Sequence, residues 1–148
     1  MEQTVKTMTA SPYGFQKIGV FGGSYNPVHC GHLQIAEAAR EQFGLDQVWF
    51  VPAWIQPFKQ GMQVVSASHR RQMLELALEP YPDFRICDYE LEKKGISYTC
   101  DTIQALKAAM PDTHLYFIMG ADSLDTFGTW YHPEKICACA SILAAVRH

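Results

Sequence analysis

Apolar positions along this chain follow two rhythms in turn. Lys17–Phe21 (KIGVF) is a short apolar run of the kind a buried strand shows. Gly31–Phe43 then spaces Leu33, Ala36, Ala39 and Phe43 along one helical stripe, and Gly44 stands where a helix stop is expected. Gln47–Val51 (QVWFV) reads as a second strand, and Pro52–Val65, with two prolines and a glycine, as a loop. Ser66 is placed to cap the next helix, whose stripe reads as Met73, Leu76 and Ala77 and which ends before Pro80. Phe84–Cys87 follows as a third strand. A loop containing Lys93, Lys94 and Gly95 leads to a helix near Thr99–Met110, with Ile103, Leu106 and Met110 inward and Pro111 ending it. His114–Met119 (HLYFIM) is a fourth strand, short helical pieces are expected near Asp122–Phe127 and Pro133–Cys137, and Ser141–Val146 is a fifth strand.

Strands alternating with helices imply right-handed crossovers and a parallel sheet. The expected fold class is α/β, a Rossmann-like open sheet of about five parallel strands with helices on both faces. Residues 1–16 read as an N-terminal tail and residues 17–148 as one domain. Ligands of such sheets sit beyond the carboxyl ends of the strands, which selects the loops after Phe21, Val51, Cys87, Met119 and Val146. The last strand of such a sheet is ordinarily covered by a further helix. Ending at His148, the chain is expected to leave apolar surface there that invites association between copies.

Composition narrows the classes of function. With 48% hydrophobic and 18% charged residues in 148, the chain is globular rather than disordered. A net charge of −3 gives no overall basic footprint for nucleic acid, although a local site for an anion is compatible with it. Five cysteines, an odd number without a C-x-x-C pair, suggest neither a disulfide framework nor a zinc knuckle. Reduced thiols in a cytoplasm are the simplest account. The first 16 residues lack the apolar segment of a signal peptide, and no run of about 18 apolar residues is present to span a membrane.

Candidate chemistry concentrates in 18-IGVFGGSYNPVHCGHLQIA-36. Gly22 and Gly23 follow a strand directly, and glycine permits positive φ and close approach of backbone to a ligand. The helix expected to begin near Gly31 presents unpaired amides and the positive end of its dipole, with His29 and His32 beside it. A tight turn with two solvated histidines is one reading. A metal site is another, but helical histidine pairs that bind metal are usually spaced i, i+4, and no third ligand is near in sequence. Neither G-x-x-x-x-G-K-[ST] nor G-x-G-x-x-G is present. The remaining reading is an H-x-G-H element that handles phosphate.

The segment 22-GGSYNPVHCGHL-33 resembles the first motif of the H-x-G-H nucleotidyltransferases and, within them, of the bacterial nicotinate (or nicotinamide) mononucleotide adenylyltransferases. Ser24, Tyr25 and Asn26 stand where that family usually has Thr, Phe and Asp. Four further segments are similar to the family's motifs in the same order: 52-PAWIQPFK-59, 70-RRQMLELAL-78, 97-SYTCDT-102 and 118-IMGADSLDTFGTW-130. The likeness spans Ile18 to Arg147. It implies attack of the nicotinate mononucleotide phosphate on the α-phosphorus of ATP, giving deamido-NAD and pyrophosphate in NAD biosynthesis. Mg²⁺ bridges phosphates in such reactions, and positioning and charge stabilisation suffice without a general base.

By the same resemblance, His29 and His32 are the catalytic pair. They would stabilise phosphate charge, and a neighbouring polyanion favours their protonated form. Gly22, Gly23, Ser24, Lys59, Gly120 and Arg147 would face the ATP phosphates. Tyr98, Thr99, Asp122 and Trp130 would hold the mononucleotide: Trp130 against the pyridine, Tyr98 and Thr99 lining its pocket, and Asp122 at the ribose. Asp101 reads as a first-turn charge that stabilises its helix, and Phe58 stands where the family has a histidine. The family continues past Arg147 with a Ser/Thr-rich segment and an Ile-Arg pair that hold ATP. Without it, weak ATP binding and little or no turnover are expected.

Two alternatives accompany this reading. Pantetheine-phosphate adenylyltransferases typically carry Thr-x-Gly-His, against His29 here, and lack the Trp130 and Ser-Tyr-Thr signals. A nucleotide-binding protein that has lost catalysis would keep the mononucleotide pocket but not ATP binding. The motif pattern favours nicotinate over nicotinamide.

Overall fold

A computed structural model describes residues 15–54 and 65–145. The elements in chain order are β1 (Lys17–Gly23), α1 (Cys30–Phe43), β2 (Gln47–Pro52), α2 (Ala67–Leu78), β3 (Phe84–Ile86), α3 (Tyr89–Lys93), α4 (Thr99–Ala109), β4 (His114–Gly120), α5 (Ala121–Thr126), a 3-10 turn (Phe127–Thr129), α6 (Pro133–Cys139) and β5 (Ala140–Ala145). The five strands form one sheet in the order β3-β2-β1-β4-β5, and every pairing is parallel. The expected α/β Rossmann-like fold is therefore present.

Strand alternation divides the core in two. Ile18, Val20, Trp49, Val51, Leu115, Phe117 and Met119 point to one face, where Cys100, Ile103 and Leu106 of α4 and Ile136 of α6 cover them. Phe21, Val48, Phe50 and Ile118 point to the other, against Ala36 and Ala39 of α1 and Leu74 and Leu78 of α2. Burial on both faces explains why these strands read as continuous apolar runs. Two alanines on the inner stripe of α1 bring that helix close to the sheet, while Phe43 at its end is 43% exposed and rests near Tyr116. Gly44 ends α1 in the left-handed conformation with φ 63°, as its position suggested.

Two readings of the sequence change. The inner stripe of α2 is Arg70, Leu74 and Leu78, at i, i+4 and i+8, not Met73, Leu76 and Ala77. Leu76 is 70% exposed, and Met73 and Ala77 only flank the contact. A buried arginine leads this stripe, so counting apolar positions alone turned the face the wrong way. The second change is α3, a short helix in what read as loop. It ends where Lys94 and Gly95 both take positive φ (62° and 72°) and reverse the chain.

Because β1 lies between β2 and β4, the chain leaves its carboxyl end in one direction toward β2, while the later half of the chain is built on the other side. The crevice expected at such a switch point opens beyond β1 and β4. The α2 assignment has a direct check. Leu74→Ala should cost about 2–5 kcal/mol of unfolding free energy, and Leu76→Ala about 0.5 kcal/mol or less. Denaturant titration of both variants reads the difference, and the opposite order would refute the assignment.

Candidate active site

Gly22 and Gly23 are the last two residues of β1, and both line a cavity of about 660 Å³ beyond the carboxyl ends of β1 and β4. That volume suits a small-molecule ligand. Neither glycine has a positive φ. A Cβ on Gly22 would lie 3.9 Å from Phe117 and from the Val51 carbonyl, and one on Gly23 3.5 Å from the Tyr25 ring. The backbone freedom expected of this pair is not used. What the glycines supply is a cavity wall without side chains.

The chain then turns through Tyr25, whose φ is 50° and whose hydroxyl donates to the Phe21 carbonyl. Its buried ring stands edge-on to Phe21 and to His32, with ring centres 6.1 and 5.0 Å apart. The Asn26–Pro27 peptide is cis, and the Asn26 side chain accepts from the Val65 amide at 3.2 Å.

The H-x-G-H element forms the start of α1, and its two histidines cap that helix reciprocally. His29 is the N-cap, and its Nδ1 accepts from the Gly31 amide at 3.1 Å. Nδ1 of His32 accepts from the His29 amide at 3.0 Å. This is a capping box built from imidazoles. Gly31 is required by it, because a Cβ there would lie 2.9 Å from the His29 ring. An imidazole that accepts at Nδ1 is neutral and carries its proton on Nε2. The two imidazole rings lie 3.9 Å apart, centre to centre. Both histidines line the cavity.

Arg70 holds the loops around this element. It is 2% exposed, and its guanidinium donates to four backbone carbonyls: Ser24 at 2.7 Å, Ala53 at 2.7 Å, Trp54 at 3.2 Å and Val65 at 2.9 Å. One side chain thus pins the loop after β1, the loop after β2 and the approach to α2. Burial pulls its pKa down from the usual value. The sequence offered 70-RRQM only as part of a motif; the signal for this role was an arginine on the inner stripe of an amphipathic helix.

The far end of the cavity is aromatic. Trp130 stands edge-on to Phe117 and tilted to Phe127, and its Nε1–H donates to Thr126 Oγ1 at 3.3 Å. Tyr98 and Tyr131 lie 4.6 Å apart, centre to centre, and Thr99 begins α4 between this cluster and the sheet. Gly120 caps α5 and also lines the cavity. Asp122 is placed differently from the expectation. It is exposed in the first turn of α5 and is not among the lining residues, whereas Ser123 and Thr126, three residues apart on one helical face, are. Asp101 is a first-turn acid of α4 and pairs with Lys93 at 3.3 Å. Lys59, Phe58 and Arg147 lie outside the described residues.

Glu90 of α3 was not anticipated. It is 7% exposed and on the cavity wall, and its Oε2 accepts from Thr102 Oγ1 at 2.5 Å. Burial raises its pKa from 4.5 to about 7, against the lowering effect of hydrogen bonds from Thr102 and Ser97 and of Lys93.

A cavity at a sheet switch point, with a helix N-terminus and paired imidazoles at one end and aromatic rings at the other, defines a nucleotide-handling class of α/β protein. The chain belongs to the cytidylyltransferase-like family, whose model matches residues 20–148. It is 44% identical over 119 residues to a Salinibacter ruber protein named "Probable nicotinate-nucleotide adenylyltransferase", covering 80% of this chain and 61% of that one. It is 41% identical over 121 residues to the nicotinate-nucleotide adenylyltransferase of Bacillus subtilis, covering 82% and 64%. The chain thus spans less than two thirds of the length of these two relatives. The fold is shared with a Plasmodium falciparum nicotinic acid mononucleotide adenylyltransferase, at TM-score 0.70 and 16% identity, over 90% of this chain and 77% of the other.

Two outcomes are expected from the buried charges. Arg70→Met should lose about 3–5 kcal/mol, since four carbonyls lose their donor inside the protein; a loss under 1 kcal/mol in denaturant titration would contradict the clamp. The raised pKa of Glu90 means the folded state binds its proton more tightly than the unfolded chain does. Stability is therefore fully present below about pH 4.5 and declines as pH rises through about 7. That decline is on the order of 3 kcal/mol at most, and Glu90→Gln should remove it from the difference between unfolding free energies at about pH 5 and pH 8.

Proposed function

We propose that this domain binds ATP and nicotinate mononucleotide side by side in the one cavity and transfers the adenylyl group between them. The observation that carries the reading is the imidazole capping box. It fixes His29 and His32 so that Nε2–H donors, together with the first amides of α1, serve the phosphate end of a cavity whose other end is aromatic.

The mononucleotide phosphate attacks the α-phosphorus in line, and pyrophosphate leaves. A phosphate monoester is already ionised near neutral pH, so no side chain has to remove a proton. The two imidazoles and the helix end take up the negative charge that shifts toward the leaving pyrophosphate. Gly22, Gly23 and Gly120 leave room for phosphates to approach backbone, and Ser24 sits on the loop that Arg70 holds in place. By resemblance, Lys59 and Arg147, outside the described residues, would also serve phosphate.

At the other end, Trp130 presents its face to the pyridine, and the start of α4 at Tyr98 and Thr99 offers amides suited to a carboxylate. Asp122, expected by resemblance at the ribose, is exposed beside this cavity rather than on its wall. Mg²⁺ enters as part of the substrate, on the ATP phosphates; among the described residues no group of three or more His, Cys, Asp and Glu side chains gathers to hold an ion. The Plasmodium protein of the same fold is complexed with NaAD, a dinucleotide of the kind this reaction makes. Among the described residues no helix is long and apolar enough to cross a membrane.

His29→Asn separates the two jobs of that residue. Asparagine caps helices as well as any residue, so stability should hold, while ATP affinity should drop about tenfold or more for the lost hydrogen bond to a charged group. Calorimetric titration of the 148-residue chain with ATP, Mg²⁺ and nicotinate mononucleotide reads both affinities, and mass spectrometry reads the dinucleotide. Binding of neither nucleotide would reject the reading. Binding of the mononucleotide without any binding of ATP would replace it with that of a nucleotide-binding protein.

A further inference from the structure

The proposed adenylyl transfer makes no use of the one buried carboxyl group among the described residues of the cavity wall. Glu90 lines the cavity at the end formed by Ser97, Tyr98, Thr99 and Trp130. Its hydrogen-bond partners are hydroxyl groups: Thr102 Oγ1 from the first turns of α4, at 2.5 Å, and the Ser97 hydroxyl. Ser97 Oγ in turn accepts from the Trp54 amide at 3.2 Å, where the chain leaves β2. Glu90 therefore links three segments that border the aromatic end, and the start of α4 keeps its place through it.

Charged and titratable neighbours do not neutralise it. Lys93, on α3 itself, is bonded to Asp101 of α4 at 3.3 Å, so an acid accompanies that cation. Asp88, just before α3, is held by Arg71 of α2 at 2.7 and 2.9 Å. Cys87 is buried with its thiol pushed up to about 12, and Tyr25, from the loop after β1, is pushed well above its usual value. Both stay uncharged. β2, against which α3 packs, contributes no titratable side chain.

We propose that Glu90 is a positioning and specificity residue for the base of the mononucleotide: its carboxyl becomes fully protonated when an anionic pyridine carboxylate enters the aromatic end, so that this ligand, and not its amide counterpart, binds with uptake of a proton. The inference rests on the mononucleotide reading above. Its physical basis is that two carboxylates in one poorly solvated site do not both stay ionised. The proton comes from solvent and goes to the Glu90 carboxyl, and no bond of the ligand changes. Glu90 stands near the midpoint of its titration around neutral pH, so the ligand's charge has a population of ionised carboxyl to act on. The amide ligand brings no charge to that end and leaves the population as it was.

The test compares nicotinate mononucleotide with nicotinamide mononucleotide by titration calorimetry of the 148-residue chain at about pH 6 and about pH 8, in buffers of different ionisation enthalpy. The two ligands carry the same phosphate and meet the same histidines, so those titrations cancel in the ratio of affinities. The expected result is a ratio that falls about fivefold from the lower pH to the higher, as a coupling of roughly one pKa unit gives over that interval, with more protons taken up by the nicotinate form. Glu90→Gln, which keeps an acceptor for Thr102, should make the ratio independent of pH. A ratio in Glu90→Gln that still falls as in the wild type overturns the proposal. If that variant does not fold by circular dichroism, the wild type decides alone: equal proton counts for the two ligands overturn it, and unequal counts in the stated sense support it. Binding of neither ligand at either pH rejects the function reading and this inference with it, whereas binding of both with equal proton counts rejects the inference alone.

Discussion

Parallel pairing of β1 with both β2 and β4 is the constraint from which the site follows. A strand between two parallel neighbours has its backbone groups satisfied on both sides, so its carboxyl end must release the chain abruptly. Here the release falls at Gly22 and Gly23, which leave no side chains at the exit. The connection toward β2 carries the two histidines, and β4 and α5 arrive on the other side. Each half of the chain thus brings a different chemistry to one crevice: imidazoles and a helix end from the first half, aromatic rings and a second helix start from the later half.

Burial of two opposite charges keeps the loops of that crevice in register, by different means. Arg70 cannot lose its proton at any ordinary pH, so its charge is spread over four carbonyl dipoles drawn from separate loops. Glu90 can take a proton, and with hydroxyl partners it holds its charge only weakly. The arginine is therefore a permanent clamp, while the glutamate is a group whose charge answers to what enters beside it. Replacing either by an apolar residue of similar size would remove an interaction, but only at Glu90 would it also remove a dependence on pH.

Much of this fold was legible because burial on both faces leaves a strong imprint. The runs KIGVF, QVWFV and HLYFIM fall within β1, β2 and β4, and Gly44 marks the end of α1. The parts that were not legible share a physical cause, which is that a polar residue occupies an inner position. Arg70 displaced the apparent stripe of α2, and Glu90 sits in a helix that reads as charged loop because four of the six residues Glu90–Gly95 are Glu or Lys. In the site, the resemblance pointed to His29, His32, the paired glycines, Tyr98, Thr99, Gly120 and Trp130, and the fold brings them to one cavity. It could not say that α5 turns Ser123 rather than Asp122 inward, because that depends on where Gly120 ends β4 and starts the helix.

The two histidines show why local geometry has to precede electrostatic argument. Charge alone favours imidazolium beside a polyphosphate. Yet each Nδ1 here satisfies an amide at the start of α1 that would otherwise lack a partner, and protonation at Nδ1 would turn that acceptor into a donor facing a donor. Losing a cap costs about 0.5–2 kcal/mol, and a positive charge at a helix N-terminus opposes the helix dipole. An Nε2–H keeps the cap and remains a donor of the kind a phosphate accepts. The same requirement explains the glycine between the histidines, since the His29 ring folds back over the space a Cβ at position 31 would fill. The motif is thus a helix cap first, and its capacity to meet phosphate is a consequence of which nitrogen the cap leaves protonated.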